Sequence, residues 1–226
     1  MTSVYISTNH STQKEYYLSK MKNKPILTLK TAEFLAESNR IEGYNIDASC
    51  YMSGNKNMLR PTDCAIVKNS LHVLRTIHMY NEKGKPLNEN QLCFMHQNLM
   101  KDLLNPKYVG EYRQVPVQVG SSIPPMPASV PYLMDEWIEM FNKKEMSALD
   151  IHKHFEYIHP FIDGNGRMGR LLWALDKLQS GEKIHSFLEE YTLHYGDFYD
   201  QRNMYYDSLA NYSMKQKLKD MLHDKK

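Results

Sequence analysis

Apolar residues recur along most of the chain at helical rather than strand spacing. Ala32, Leu35 and Ala36 share one side of a segment from about Leu29 to Glu42. Gly43 stands just past its end, where helices commonly place a left-handed glycine. Val67, Leu71, Leu74 and Ile77 form a second stripe after Pro61 and Thr62. Leu92, Met95, Leu99 and Leu103 form a third, and Asn88 with Gln91 has the spacing of a capping box at its start. Val130, Leu133, Trp137, Met140 and Phe141 follow Ser129. Ile151, Phe155 and Ile158 follow Ser147, a plausible cap, and Met168, Leu171, Leu172 and Leu175 make the next stripe. Aromatic-rich helices are expected from about 185 to the end. Residues 44–60 contain Gly54 and paired asparagines and read as loop. Residues 1–27 show little periodicity and read as an arm or a tail. The fold class is therefore mainly α.

One stretch differs. In YRQVPVQVGSSIPP, Val115, Val117 and Val119 alternate with period two, and Pro116 sits among them. Proline is confined to edge strands or bulges, so a short exposed β-hairpin is expected. Such an edge is a place where another chain can add a strand. An ordinary surface hairpin is the competing reading.

Bulk numbers narrow the classes. At 226 residues and 42% hydrophobic, the chain is sized for one core, with or without an added arm. A formal net charge of +2 gives no basic footprint, so nucleic acid is not expected as a partner. Cys50, Cys64 and Cys93 are scattered with no CxxC spacing, which points to a reducing cytoplasm rather than a disulfide framework or zinc site. No apolar run approaches the roughly 18 residues of a membrane span. The first twenty residues lack a secretory apolar stretch.

The candidate chemistry is concentrated in HPFIDGNGRMGR, residues 159–170. Pro160 disfavours the α conformation at His159, so the preceding helix should end there and the next begin near Gly166. The start of that helix offers free backbone N–H groups and the positive end of its dipole, which together make an anion site. Arg167 and Arg170 lie three apart and carry forks suited to phosphate oxygens. Asp163 beside phosphates is a typical holder of Mg²⁺. His159, titrating near neutrality, can accept a proton from an attacking hydroxyl. Each element alone has a plain reading, as a cap, a turn or a solvated face. Their joint occurrence favours a polyphosphate site and transfer of a phosphorus-containing group to an alcohol or phenol.

HPFIDGNGRMGR resembles the Fic-domain signature HPFx[DE]GNGRxxR at every specified position. The resemblance extends through GEYRQVPVQVGSSIPPMPASVPYLMDEW and covers residues 60 to 210 approximately. It implies a Fic-type helical bundle with a small β-hairpin flap over the active site. The expected organisation is an arm over 1–59, with an inhibitory helix at about 29–43, and a core with C-terminal helices over 60–226. It implies a nucleotidyltransferase that moves AMP from ATP to a Ser, Thr or Tyr hydroxyl of a protein, with pyrophosphate leaving. His159 would be the general base and Asp163 the Mg²⁺ ligand. Gly164, Asn165 and Gly166 would surround the phosphates, Arg167 would hold the leaving phosphates, and Arg170 would contact the γ-phosphate. Val115, Pro116, Val117, Gln118 and Val119 would form the flap along which a protein substrate docks. QRNMYYDSL resembles the adenine-pocket region, with Tyr206 and Leu209 as candidates there or else as ordinary core residues.

SNRIEG, residues 38–43, fits the Fic inhibitory pattern [ST]xxxE[GN] at Ser38, Glu42 and Gly43. A carboxylate at a helix C-terminus is disfavoured by the dipole and wants a cation. The resemblance supplies one in Arg170, and with it autoinhibition in a single chain that requires no separate antitoxin. Two other readings compete: removal of AMP from a modified protein, with Glu42 positioning a water, and a nucleotide-sensing module without turnover. Self-modification and homo-oligomerisation are left open.

Overall fold

The computed structural model describes residues 27–53, 59–120, 122–195, 207–213 and 215–216. Its α-helices, numbered in chain order, are α1 (Leu29–Ile41), α2 (Ala48–Ser53), α3 (Pro61–Lys83), α4 (Glu89–Met100), α5 (Val130–Lys143), α6 (Ala148–Ile158), α7 (Asn165–Gln179) and α8 (Phe187–Tyr195). Residues 207–213 are helical too. The mainly α class expected from the stripes is what the chain adopts.

Local chemistry sets most of the boundaries. Thr28 and Thr31 form a capping box at the start of α1, and Asn88 and Gln91 form one at the start of α4. Ser147 Oγ accepts from the Asp150 amide and starts α6. Pro61 opens α3 at a position where its missing N–H costs nothing, and Gly84 closes it in the left-handed region. Two expectations are corrected. Residues 48–53 are helical rather than loop: Asp47 Oδ1 accepts the Ser49 amide at 2.8 Å, and Tyr51 buries itself in the core. The stripe of α4 continues to Leu103, but the helix stops at Met100. Asn69 of α3 takes the carbonyls of Leu99 and Lys101 through its side-chain amide, a partner distant in sequence.

The bundle is organised around α7, which packs against α1, α3, α4 and α6. Met168, Leu171, Leu172, Trp173, Ala174 and Leu175 are each 2% exposed or less, and Asn165, Arg167, Arg170 and Asp176 are buried too, so the helix is buried nearly all round and central. Burial of each large side chain contributes about 1.5–3 kcal/mol. Trp173 meets Phe34 of α1 and Phe187 of α8 at ring-centroid distances of 5.7 and 5.3 Å. This aromatic contact brings both ends of the described chain onto one helix.

The helix α1 carries a second tie to α8. Glu37 accepts from the amides of Phe187 and Leu188 at 2.8 and 3.1 Å, and from Ser186 Oγ at 2.6 Å. The carboxylate thus caps α8 from another element, where the positive end of the dipole favours it. Replacing Glu37 by alanine should cost about 1 kcal/mol, as loss of an N-cap does. For a chain of this size that is a fall in melting temperature of about 2–4 °C, read in a thermal melt, with a smaller fall for Glu37→Gln.

Candidate active site

The α6 helix ends at His159, whose backbone is left-handed at φ 51° and ψ 60° while its amide still donates to the Phe155 carbonyl. A non-glycine residue rarely adopts this conformation, and it turns the chain sharply before Pro160. The ring is largely buried, and its Nδ1 lies 3.9 Å from Glu156 Oε2 without a hydrogen bond of ordinary geometry. Burial, followed by the Arg113 cation, pushes the ring down to about 4. At neutral pH it is uncharged and can accept a proton.

The loop that follows is held rigidly. Asn165 clasps Phe161 from both sides: its Oδ1 accepts the Phe161 amide and its Nδ2 donates to the Phe161 carbonyl, each at 3.0 Å. Phe161 stacks on His96 at 3.7 Å. His96 Nδ1 accepts from the Gly110 amide, so its proton is on Nε2, which donates to the Asp163 carbonyl at 3.0 Å. Gly164 caps α7 at φ 81°, and a Cβ there would lie 2.5 Å from Met100 Sδ. Both the backbone and the packing therefore demand glycine. Gly164, the N-cap of α7, has no side chain with which to cap the first amides, which lie beside the loop. Asp163 is the exposed acid there. Its Oδ1 accepts the Gly164 amide at 2.6 Å and lies 3.8 Å from Arg167 Nη2.

The two arginines have different surroundings. Arg167 is buried over the Tyr44 ring, with Nη2 3.4 Å from Met100 Sδ and Nε lacking a hydrogen-bond partner. A buried donor in this state is costly unless an acceptor arrives. Arg170 is fully buried and well served: Nε donates to Ser38 Oγ at 2.9 Å, and Nη2 donates to the Ser38 carbonyl at 2.9 Å and to Glu42 Oε1 at 2.5 Å. The structure thus brings Ser38, Glu42 and Arg170 together across more than a hundred residues of sequence. Glu42 caps the C-terminus of α1, and Gly43 follows at φ 87°. The Glu42 carboxylate rests on Gly166 so closely that any side chain there would strike it. It occupies the mouth of α7.

The segment over the site is less regular than a hairpin. Among the described residues it contains one antiparallel bridge, Val119 with Ser122, joined by two amide–carbonyl bonds of 2.9 Å. Val115, Pro116, Val117 and Gln118 lie outside any strand, and Gln118 Nε2 donates to the Gly120 carbonyl. The alternation of valines is thus not a ladder, because Pro116 removes one amide and Pro124 and Pro125 stand opposite. Beside the bridge lies a cavity of about 350 Å³, lined by Val119, Gly120, Ser122, Glu156, Tyr157 and Leu209 among others. Leu209 therefore faces this cavity, whereas Tyr206 lies outside the described residues. Among the described residues no group of three or more His, Cys, Asp or Glu converges as a metal cluster, and no helix is long and apolar enough to cross a membrane.

Comparison with known proteins follows from this geometry. Residues 86–175 match the Fic/DOC family. The chain is 38% identical over 94 residues to Protein adenylyltransferase Fic of Drosophila erecta, a match that takes in 38% of this chain and 19% of that protein. The corresponding protein of Drosophila grimshawi is 37% identical over 79 residues, covering 32% of this chain and 16% of the relative. A Fic family protein from Desulfovibrio desulfuricans superposes with a TM-score of 0.64 at 24% identity, over 90% of this chain and 63% of that one. A Fic domain containing signaling protein from Bacteroides thetaiotaomicron does so at 0.59 and 24%, over 81% and 79%. The match to the Fic/DOC family covers residues 86–175, the chain spans less than a fifth of the length of the Drosophila relatives, and its helical fold is the fold of these structures.

Three residues of the site were not singled out by sequence reasoning. His96 is buried on α4 beside Met95 and Leu99, next to the apolar stripe. Glu156 precedes His159 by one helical turn, so the i,i+3 relation was there to be read. Arg113 stood in the quoted flap sequence with no partner visible from spacing. Burial pushes the Glu156 carboxyl up to about 8, with Arg170 opposing and Glu42 adding to the rise, and pushes His96 and His152 down to about 4 and 3.

These shifts act on stability in opposite directions. His96, His152 and His159 stay neutral when folded but take up protons when unfolded near their usual value of 6.5, so stability falls as pH drops from about 6.5 towards 4. Glu156 is protonated when folded and ionised when unfolded, so its contribution falls as pH rises from about 4.5 to 8. Below about 6.5 these three rings, joined by His72 and His78, which burial also lowers, oppose one carboxyl, so acidification wins. Denaturant melts across pH should show a maximum near neutral pH, and Glu156→Gln should flatten the decline above it.

Proposed function

We propose that this chain transfers AMP from ATP to a hydroxyl of a protein, and that Glu42 restrains the reaction. The observation that carries the reading is the joint placement of a neutral His159, an N-terminus of α7 whose N-cap is a glycine and a buried Arg167 whose Nε lacks a partner. The names of the Drosophila relatives, protein adenylyltransferases, support the AMP group in particular.

In this reading the amides of Gly164, Asn165 and Gly166 and the guanidinium of Arg167 receive phosphate oxygens. The Asn165 side chain is already engaged with Phe161, so that residue contributes its amide and holds the loop. His159 removes the proton as the target hydroxyl attacks the α-phosphorus, the bond to the bridging oxygen breaks, and pyrophosphate leaves. Asp163 is an exposed, single carboxylate, which fits Mg²⁺, an ion that takes one or two protein carboxylates and completes its shell with phosphate oxygens and water. When bound it would neutralise phosphate charge. Residues 115–119 offer exposed backbone to a target segment, and the cavity beside Leu209 accommodates the adenosine.

The restraint follows from charge. Arg170 can serve an incoming γ-phosphate or the Glu42 carboxylate, and the latter already holds it at 2.5 Å and covers Gly166. In this reading α1 serves as the inhibitory helix, with Glu42 and Gly43 just past its end, ahead of a core from about residue 60. The partly exposed Glu42 carboxylate could also hold a water for removal of AMP, which makes the reverse reaction the second reading.

With labelled ATP and Mg²⁺, Glu42→Gly should incorporate more label into protein than the unaltered chain, by about tenfold or more given an ion pair of about 1.4 kcal/mol or greater. His159→Ala in that background should lower incorporation by about 100-fold or more while ATP still binds in calorimetry. Equal labelling with and without Glu42 would remove the restraint. Release of AMP from a pre-adenylylated protein by the unaltered chain, lost in Glu42→Gly, would favour the second reading.

A further inference from the structure

The guanidinium of Arg113 is 1% exposed, and no carboxylate among the described residues pairs with it. It is surrounded by backbone carbonyls instead. Nε donates to the His159 carbonyl at 2.7 Å, and Nη2 donates to those of Pro125 and Ile158 at 2.6 and 3.3 Å. Nη1 donates to the Val115 carbonyl at 3.3 Å, and the Arg113 amide itself donates to Pro160 at 2.9 Å. Val115 and Pro125 are on opposite sides of the Val119–Ser122 bridge, so one side chain grips both legs of the segment over the site. The same side chain grips the last carbonyls of α6, where a helix leaves them unpaired and negative.

From these contacts we propose that Arg113 is a positioning residue that locks the segment over the site to the left-handed backbone of His159, so that target-docking backbone and base keep one fixed separation. The inference rests on the transfer reading above for its consequence, but its geometry stands without it. The segment has little else to define it. One bridge pairs its legs, and the two prolines deny it a ladder. The conformation of His159 likewise is one that a histidine adopts only when its surroundings impose it. Arginine suits the task because its planar fork presents five N–H donors in fixed directions, enough to reach several carbonyls at once. Lysine carries charge but donates from a single point, and cannot span both legs and the helix end together. Packing alone would not need a cation here, since an apolar side chain would leave the same carbonyls buried and unpaired.

The test compares Arg113→Lys and Arg113→Gln with the unaltered chain, each also in the Glu42→Gly background. Backbone hydrogen exchange needs no activity. Residues 113–126 and 157–164 should exchange about tenfold faster in Arg113→Lys, while the core of α3 over 66–77 is unchanged. In the Glu42→Gly background, self-labelling from ATP and Mg²⁺ should lose about 100-fold in kcat, as a misplacement of about 1 Å does, with the Kd for ATP within about threefold. Unchanged exchange in both segments would overturn the inference. So would acceleration spread equally through α3, which is the mark of a purely structural residue. If Glu42→Gly transfers nothing to begin with, the transfer reading fails, and exchange alone still decides whether Arg113 holds the two segments together. If neither variant folds, side-chain exchange in the unaltered chain decides: Arg113 guanidinium protons as labile as those of the exposed Arg75 would overturn it, and strongly protected ones would support it.

Discussion

A guanidinium with no exposed surface must be well paired or it destabilises the fold, and the residues of α1 and its C-cap supply Arg170 with three of its bonds. Ser38 supplies a hydroxyl and a carbonyl, and Glu42 supplies the charge. The pairing helps to fix where α1 lies, beside the contacts of Phe34 with Trp173 and of Glu37 with α8. It also places a carboxylate on the N-terminus of α7, where the helix dipole is positive. On the proposed reading, fold and restraint meet in a single contact. A side chain that satisfies the core also fills the place an anion would take, and any anion entering there must offer Arg170 a better partner.

Around that contact the loop after α6 is over-determined. Asn165 binds the Phe161 backbone from both sides, His96 holds the Asp163 carbonyl, and Met100 leaves no room for a side chain at Gly164. Each restraint comes from a different element, so the amides of α7 have little freedom to reorganise. Preorganised donors of this kind are worth more than flexible ones, because no reordering accompanies the development of charge. By contrast, the segment over the site depends on few contacts of its own, and its register relative to His159 is carried largely by one buried arginine.

Much of this could be read in advance because the signals are local. Helix period, the caps at Asn88 and Ser147, and the break at Pro160 each depend on residues within one or two turns. The positions of His159, Asp163, Arg167 and Arg170 around one loop follow from the same short range. The reading failed where a distant partner intervened. Leu103 continued the stripe of α4, but Asn69 took over the final carbonyls. Tyr51 drew a short helix out of a segment that looked like loop. The valines at 115, 117 and 119 alternate like a strand, yet the prolines facing them leave only one bridge.

What the amino-acid order determined alone is most of the helices, several of their ends and the cluster of chemistry at residues 159–170, since propensity, capping and period act between near neighbours. What only the folded chain decided is which charges meet. Glu37 reaches the start of α8 and Arg113 reaches four carbonyls from two segments, pairings that no spacing rule encodes, whereas the meeting of Glu42 with Arg170 was expected from the resemblance alone and not from spacing. The desolvation that leaves His159 uncharged and Glu156 protonated is likewise tertiary, because it depends on how many helices close over a group rather than on the residues beside it.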